Sequence, residues 1–220
     1  MSTFPNSPRL LKGGLVVLAP GGSTVRRVIS LQYNPDTLTR SYEIQGVGGE
    51  GGAERAQPFR LKGPAVESIS LEAEIDATDQ LEFPDQNRAV IEAGVSPQLA
   101  VLEALLNPTT AELLAVDADA QGGTLEILPP EAPLVIFVWS RNRIAPVRVT
   151  NFSVTEEAFD PALNPIRAKV SLSLRVLTTD DLGYSHRGGT LFLAYLRTRE
   201  ALAAKAPGTT LQSLGISNLP

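Results

Sequence analysis

Between Arg167 and Val176 the chain alternates strictly: Ala168, Val170, Leu172, Leu174 and Val176 are apolar, while Arg167, Lys169, Ser171, Ser173 and Arg175 are basic or hydroxylated. A period of two suits an extended strand with one face in a core and the other in water or against a partner, because a helix would scatter the same residues around its axis. The preceding stretch, Val147 to Val154, is rich in β-branched residues, a type that packs well on a pleated surface. It breaks phase at Asn151, where the spacing predicts a bulge. Asp160-Pro161 and Asn164-Pro165 lie between the two halves, and each proline holds the residue before it extended. Pro146 to Leu177 is therefore expected to be two strands joined by a stiff loop.

Further strands follow from the same rules. Gly14 to Ala19 is a short apolar strand closed by Pro20-Gly21-Gly22; Val25 to Tyr33 returns with Ile29, Leu31 and Tyr33 on one face. Asn34-Pro35-Asp36 ends it, Thr37 to Ile44 places Leu38, Tyr42 and Ile44 together, and a hairpin is expected to join these elements. In Val66 to Asp76, Ile69, Leu71, Ala73 and Ile75 alternate with Ser68, Ser70, Glu72, Glu74 and Asp76. Leu134 to Trp139 is continuously apolar, which fits a strand buried on both sides, with Trp139 a core anchor and Arg141-Asn142-Arg143 turning the chain back.

Helices are expected in three places. Ser96-Pro97 starts one, a capping hydroxyl followed by a proline at the first helical position, with Leu99, Leu102 and Leu106 as its stripe, widened by Val101 and Leu105. A shorter helix capped by Thr110 runs from Ala111 to about Val116, and the pair is expected to cover an open end or face of the strands. Thr190 is expected to cap a third, running to about Lys205, with Leu191, Ala194, Tyr195 and Leu202 inward and Arg197, Arg199 and Glu200 in water. The fold class is thus mainly β with accessory helices: a sandwich or barrel with a packed helix pair and a C-terminal helix. Residues 1–180 make the β domain, with a Gly-rich loop over 45–64 and helices at about 97–116; residues 181–220 make the C-terminal helix and tail.

Composition removes several functions. The chain has no cysteine, so neither a disulfide framework nor thiolate metal chemistry is available. His186 is the single histidine. A net charge of −5 opposes binding to nucleic acid, which needs a basic face. No apolar run approaches the roughly 20 residues a membrane helix requires, and no signal peptide is expected from the N-terminus.

Motifs that suggest chemistry do not hold together. Gly46, Gly48 and Gly51 form G-x-G-x-x-G, but Gly52, Pro58 and Gly63-Pro64 leave no room for the helix a dinucleotide site needs. Asp117 and Asp119 begin like a calcium loop, yet its twelfth position is Leu128 where a bidentate Glu is required. Asp76 with Asp79, Asp180 with Asp181, and Ser185 with His186 are sequence neighbours without the surroundings of an acid–base pair or a nucleophile. No catalytic, cofactor or metal residues are assigned.

What remains is charge. Glu72, Glu74 and Asp76 make the polar face of one strand acidic, and Arg167, Lys169 and Arg175 make the polar face of another basic. The two faces are solvated independently, paired within one sheet, or paired between subunits, and these six residues are the candidate assembly interface.

Four stretches also carry a resemblance: Tyr33-Asn34-Pro35-Asp36-Thr37-Leu38, Glu74-Ile75-Asp76-Ala77-Thr78-Asp79-Gln80-Leu81, Phe137-Val138-Trp139, and VTNFSVTEEAFDPALNPIRAKVSLSLRVLT from Val149. In this order they resemble the tube-initiator or baseplate-adaptor protein of phage-tail-like contractile injection systems, from about Phe4 to about Ala203. The resemblance implies a tube-type β domain over 1–180. It also implies a homo-hexameric ring at the baseplate that joins the spike hub to the inner tube and templates tube assembly. Its partners would be its own copies, the inner-tube protein, the spike or hub protein and other baseplate subunits, with no cofactor. Assembly would be cytoplasmic, in a particle that is released or stays cell-associated. Larger relatives carry a C-terminal LysM module, which this chain is expected to lack. The alternatives are the inner-tube protein itself, which shares the fold, and a monomeric carbohydrate- or peptide-binding β-sandwich, which an exposed aromatic groove would favour.

Overall fold

A computed structural model describes residues 10–22, 24–46, 61–121 and 132–219. Its seven strands are β1 (Gly14–Leu18), β2 (Val25–Ser30), β3 (Leu38–Glu43), β4 (Val66–Asp76), β5 (Val135–Ser140), β6 (Arg143–Phe159) and β7 (Pro165–Val176). They form one sheet in the order β2-β1-β5-β6-β7-β4-β3, with every pairing antiparallel. The protein is mainly β with accessory helices, as its alternating stretches imply.

The β6–β7 hairpin is the spine of this sheet. Ala168, Val170, Leu172, Leu174 and Val176 are at most 2% exposed, and burying an aliphatic side chain of this size stabilises the fold by about 1.5–3 kcal/mol. The register shifts between Val149 and Asn151, placing a bulge where the phase breaks. Thr150, the extra residue, turns its hydroxyl onto the carbonyl of Ser173 at 3.1 Å.

The sheet curls strongly. Gln32, two residues beyond β2, bonds through its side-chain amide to both backbone groups of Asp76 on β4: its Nε2 donates to the carbonyl at 2.6 Å and its Oε1 accepts from the amide at 3.0 Å. In a flat sheet those strands would stand five spacings apart, roughly 24 Å at about 4.8 Å each. Two residues and a side chain reach only about half that distance. The two edges are therefore brought round toward one another, and β3 pairs with β4 at the edge opposite β2 instead of continuing a hairpin with it.

The concave interior is closed by helices inserted between β4 and β5: α1 (Thr78–Leu81), α2 (Arg88–Ala93) and α3 (Ser96–Glu103); α4 (Thr110–Gln121) follows them and, contrary to expectation for the helix pair, buries no residue. Val90, Val95, Leu99 and Leu102 are buried with the inward strand residues, whereas Leu106 of the expected stripe is exposed. Ser96 does not cap α3; it is the first helical residue and Val95 precedes it without a side-chain cap. The helix is instead tied to the spine, because Val95 N donates to the carbonyl of Pro165 at 2.8 Å. Gly94 makes this approach possible: its φ is +57°, and a Cβ there would stand 2.0 Å from that carbonyl oxygen. The cap of α4 is Thr109 rather than Thr110. Thr109 Oγ1 accepts from Glu112 N at 3.2 Å while Glu112 returns a carboxylate to Thr109 N at 2.7 Å, and the helix runs on to Gln121.

After β7 come α5 (Thr179–Leu182) and α6 (Arg187–Ala203). α6 begins three residues before Thr190, with His186 Nδ1 accepting from Gly188 N at 3.1 Å as the cap. Gly188 and Gly189 look like helix breakers in sequence, but a Cβ on Gly189 would stand 1.9 Å from the carbonyl of Gly183, so close packing against the preceding turn requires them. Phe192 and Tyr195 enter the main core, and Leu191 joins a second cluster around Leu18, Leu134 and Ile136. β5 accordingly sends Val135 and Phe137 into one cluster and Ile136 into the other, which is why its sequence is continuously apolar. Trp139 stacks on Phe137 with centroids 5.9 Å apart. Leu202, expected inward, is exposed.

Most of the 45–64 loop, including Gly48 and Gly51, lies outside the described residues; its ends meet at a bridge between Gly46 and Leu61. Asp117 and Asp119 sit on α4, and Leu128 lies outside the described residues.

Candidate assembly surface

Strand register brings the six charged residues onto one outer face. β4 and β7 are neighbours, with Glu74 opposite Lys169, Asp76 opposite Arg167, and Glu72 opposite Ser171. β6 flanks β7 on the other side and sets Glu157 opposite Arg167. Near the hairpin tip the basic residues of β7 thus lie between the acidic stripe of β4 and Glu157 of β6.

Several of these charges meet within the chain. Arg167 Nε lies 2.9 Å from Asp76 Oδ2 and 3.8 Å from Glu74, and Lys169 Nζ lies 3.0 Å from Glu157. Arg175 stands apart, opposite Ser68, and pairs with Asp181 at 2.8 Å. Burial alone would raise the Asp76 carboxyl, but bonds from the hydroxyl and amide of Thr78 and from Arg167 outweigh it and hold the group below the usual carboxylate range. Asp181 behaves likewise: burial opposes, while the Thr178 amide and Arg175 lower it. Hydrogen bonding to Glu157 raises Lys169.

One member of each acidic pair considered for catalysis has structural work. Asp181 closes a capping box with Thr178 at the start of α5, and Asp76 receives Thr78 and Arg167. His186 is a helix cap.

The hairpin tip is rigid by construction. Asp160 Oδ1 accepts from the amides of Ala162 and Asn164 at 2.8 Å each, and Oδ2 accepts from Asn164 Nδ2 at 2.8 Å. Those bonds, the Asn164 side chain first, lower the Asp160 carboxyl. Ala158 and Leu163 both have positive φ, 53° and 66°, a strained state for side chains of this kind.

A second polar cluster escapes the sequence reading. Glu67 is 2% exposed and lies in phase with Ile69, Leu71 and Ala73 on the inner face of β4. Tyr42 donates to it at 2.8 Å and Tyr195 at 2.9 Å, while Arg199 reaches it at 3.2 Å and Arg40 at 3.5 Å. Burial, reinforced by the carboxylate of Glu67, raises both tyrosines, so they remain donors at neutral pH. Arg199 also lies over the rings of Tyr42 and Tyr195, at 5.1 and 5.5 Å. Arg199 was expected in water and Tyr42 on a strand face shared with Leu38 and Ile44; the structure joins them at Glu67. The one signal in the sequence was parity, since Glu67 is two residues before Ile69 in the apolar phase.

Tyr33, Tyr42, Phe83, Phe159 and Tyr184 are all exposed, but they belong to five separate elements or connections.

A family model described as "contractile injection system tube protein" matches residues 19–183, well over half of the chain. No curated protein matches it in sequence. Among solved structures, a chain from the tail of an empty GTA particle with C6 symmetry is similar at 12% identity, covering 75% of this chain and 90% of that one with a TM-score of 0.29. On a match of that extent, the chain belongs to the contractile injection system tube protein family.

Proposed function

We propose that this protein is a structural subunit that forms a sixfold ring at the baseplate end of a contractile injection system, joining the spike hub to the inner tube and templating tube growth. The observation that carries the reading is the pair of open sheet edges. Among the described residues β2 and β3 each have one neighbour, and both are exposed along most of their length. An unpaired edge invites a strand from another chain. Edges that differ from one another, VRRVIS on one side and LTRSYE on the other, suit a heterologous contact that closes a ring. The charged face of β4 and β7 supplies a further surface for neighbours above or below.

A second reading has a specific support: the matched family is that of the tube protein itself, so the chain would then repeat along the tube. Imaging an assembled particle with this subunit tagged tests both. One ring at the baseplate end is the expected result; a repeated stack replaces it with the tube reading. Light scattering adds a check, with a monomer or weak oligomer expected alone and a hexamer with hub or tube partners present. A tight dimer unchanged by partners overturns the ring.

A further inference from the structure

The β6–β7 tip exposes two large apolar side chains, Leu163 at 78% and Phe159 at 50%. Exposed apolar groups on a mobile loop need no explanation, but this tip is braced by the Asp160 bonds and holds Leu163 itself in a left-handed conformation. Strain that persists on a braced projection marks a feature shaped for contact.

The complementary feature lies at the other end of α3. A cavity of about 350 Å³ opens there, lined by Val17, Val101, Leu105, Leu106 and Val135. A dry apolar cavity of about 150 Å³ already accepts a benzene-sized guest, so this one has room for a phenyl ring and an isobutyl group together. Arg26 and Arg27 stand on its rim with one carboxylate, Glu112, which is committed to the amide of Thr109. At the tip Glu157 pairs with Lys169 and Asp160 is committed to Ala162 and Asn164, which leaves the exposed Glu156 as the carboxylate that flanks Phe159.

The tip of a chain does not reach the cavity of the same chain. Its tip is tied by Pro165 to Val95 at the start of α3, whereas the cavity is formed by the end of that helix, about 15 Å further on at 1.5 Å per residue. The geometry points to a head-to-tail contact between copies, in which Leu163 and Phe159 of one chain seat in the α3 cavity of another and Glu156 beside the tip meets Arg26 and Arg27. Apolar fill supplies the attraction, and the opposite charges set the orientation. Tip and socket are different surfaces at different ends, so the contact is heterologous, and six of them in sequence close a ring with no free tip or socket. The inference rests on the reading of this chain as a self-assembling subunit.

The absence of native cysteine makes a direct test simple. Leu163→Cys and Ala104→Cys variants, Ala104 being a lining residue, are expressed together in place of the wild-type chain in cells that make the particle, and the particles are oxidised. A disulfide-linked dimer is expected from the mixture, and none from Leu163→Cys mixed with Arg141→Cys, which lies on the exposed β5–β6 turn. Leu163→Asp should keep the wild-type circular dichroism spectrum yet lower particle yield at least tenfold. Intact particles without the 163–104 cross-link overturn this contact and leave the assembly reading standing. A cross-link from position 163 to a different protein overturns it in favour of that protein. A wild-type chain found in no particle overturns both.

Discussion

The hydroxyl of Tyr195 on α6 lies 2.9 Å from Oε2 of Glu67 on β4, a hydrogen bond across 128 residues of sequence inside the protein. Tyr42 on the edge strand β3 donates to the same carboxylate. One side chain therefore fastens the C-terminal helix and one edge of the sheet to the central strands.

Removing that acceptor should loosen all three elements. Glu67→Ala leaves two tyrosine hydroxyls without their partner and is expected to cost about 1–3 kcal/mol, with Tyr195→Phe nearer 1 kcal/mol. Urea denaturation followed by circular dichroism measures both. A change below about 0.5 kcal/mol for Glu67→Ala would show that solvent replaces the network at no cost.

Acid should destabilise the fold through identifiable groups. Asp76, Asp181 and Asp160 are all held below their ordinary values. Their contribution is therefore present in full above the unfolded value of about 3.9 and is lost as the pH falls through the lower folded values. Thermal melts between pH 6 and pH 2 are expected to show a steep decline below about pH 4. The double variant Asp76→Asn with Asp181→Asn should show a shallower one; an unchanged slope would locate the acid sensitivity elsewhere.

Neutralising the basic stripe separates folding from assembly. Arg167→Gln, Lys169→Gln and Arg175→Gln together break intrachain ion pairs that are partly exposed, each worth at most about 1 kcal/mol. The triple variant should therefore fold. If the outer face of β4 and β7 also meets a neighbour, its incorporation into particles should fall sharply. Incorporation at the wild-type level would show that these charges serve only their own sheet.

Leu172→Asp should behave in the opposite way. Leu172 is 2% exposed at the centre of the inner face, and a carboxylate placed there has no partner, at a cost of several kcal/mol. Loss of the far-ultraviolet strand signal in the soluble fraction, or recovery only in aggregates, is the expected result.

Strands were legible in the sequence wherever one face is buried and the other wet. Val66–Asp76 and the β6–β7 hairpin follow directly from alternation, and the bulge at Asn151 from its interruption. Local rules were weaker at helix starts. Thr109 and His186 cap α4 and α6 where the neighbouring Thr110 and Thr190 were expected, because any nearby hydroxyl or imidazole satisfies the same amides and packing selects among them. The glycines of α6 are read correctly only once the turn they pack against is known.

Composition and periodicity by themselves determined the fold class, the inward face of each long strand and the opposite charges of the β4 and β7 outer faces. They did so because burial acts on each residue through its own side chain and its parity along the strand. Partner choice was decided only by tertiary structure. Strand order put β3 at the far edge from β2, set Arg167 beside Asp76 instead of leaving both to a neighbour, and drew Arg40, Tyr42, Tyr195 and Arg199 around Glu67. Those contacts join residues many tens of positions apart, and parity tells which face a residue occupies but not what stands opposite it.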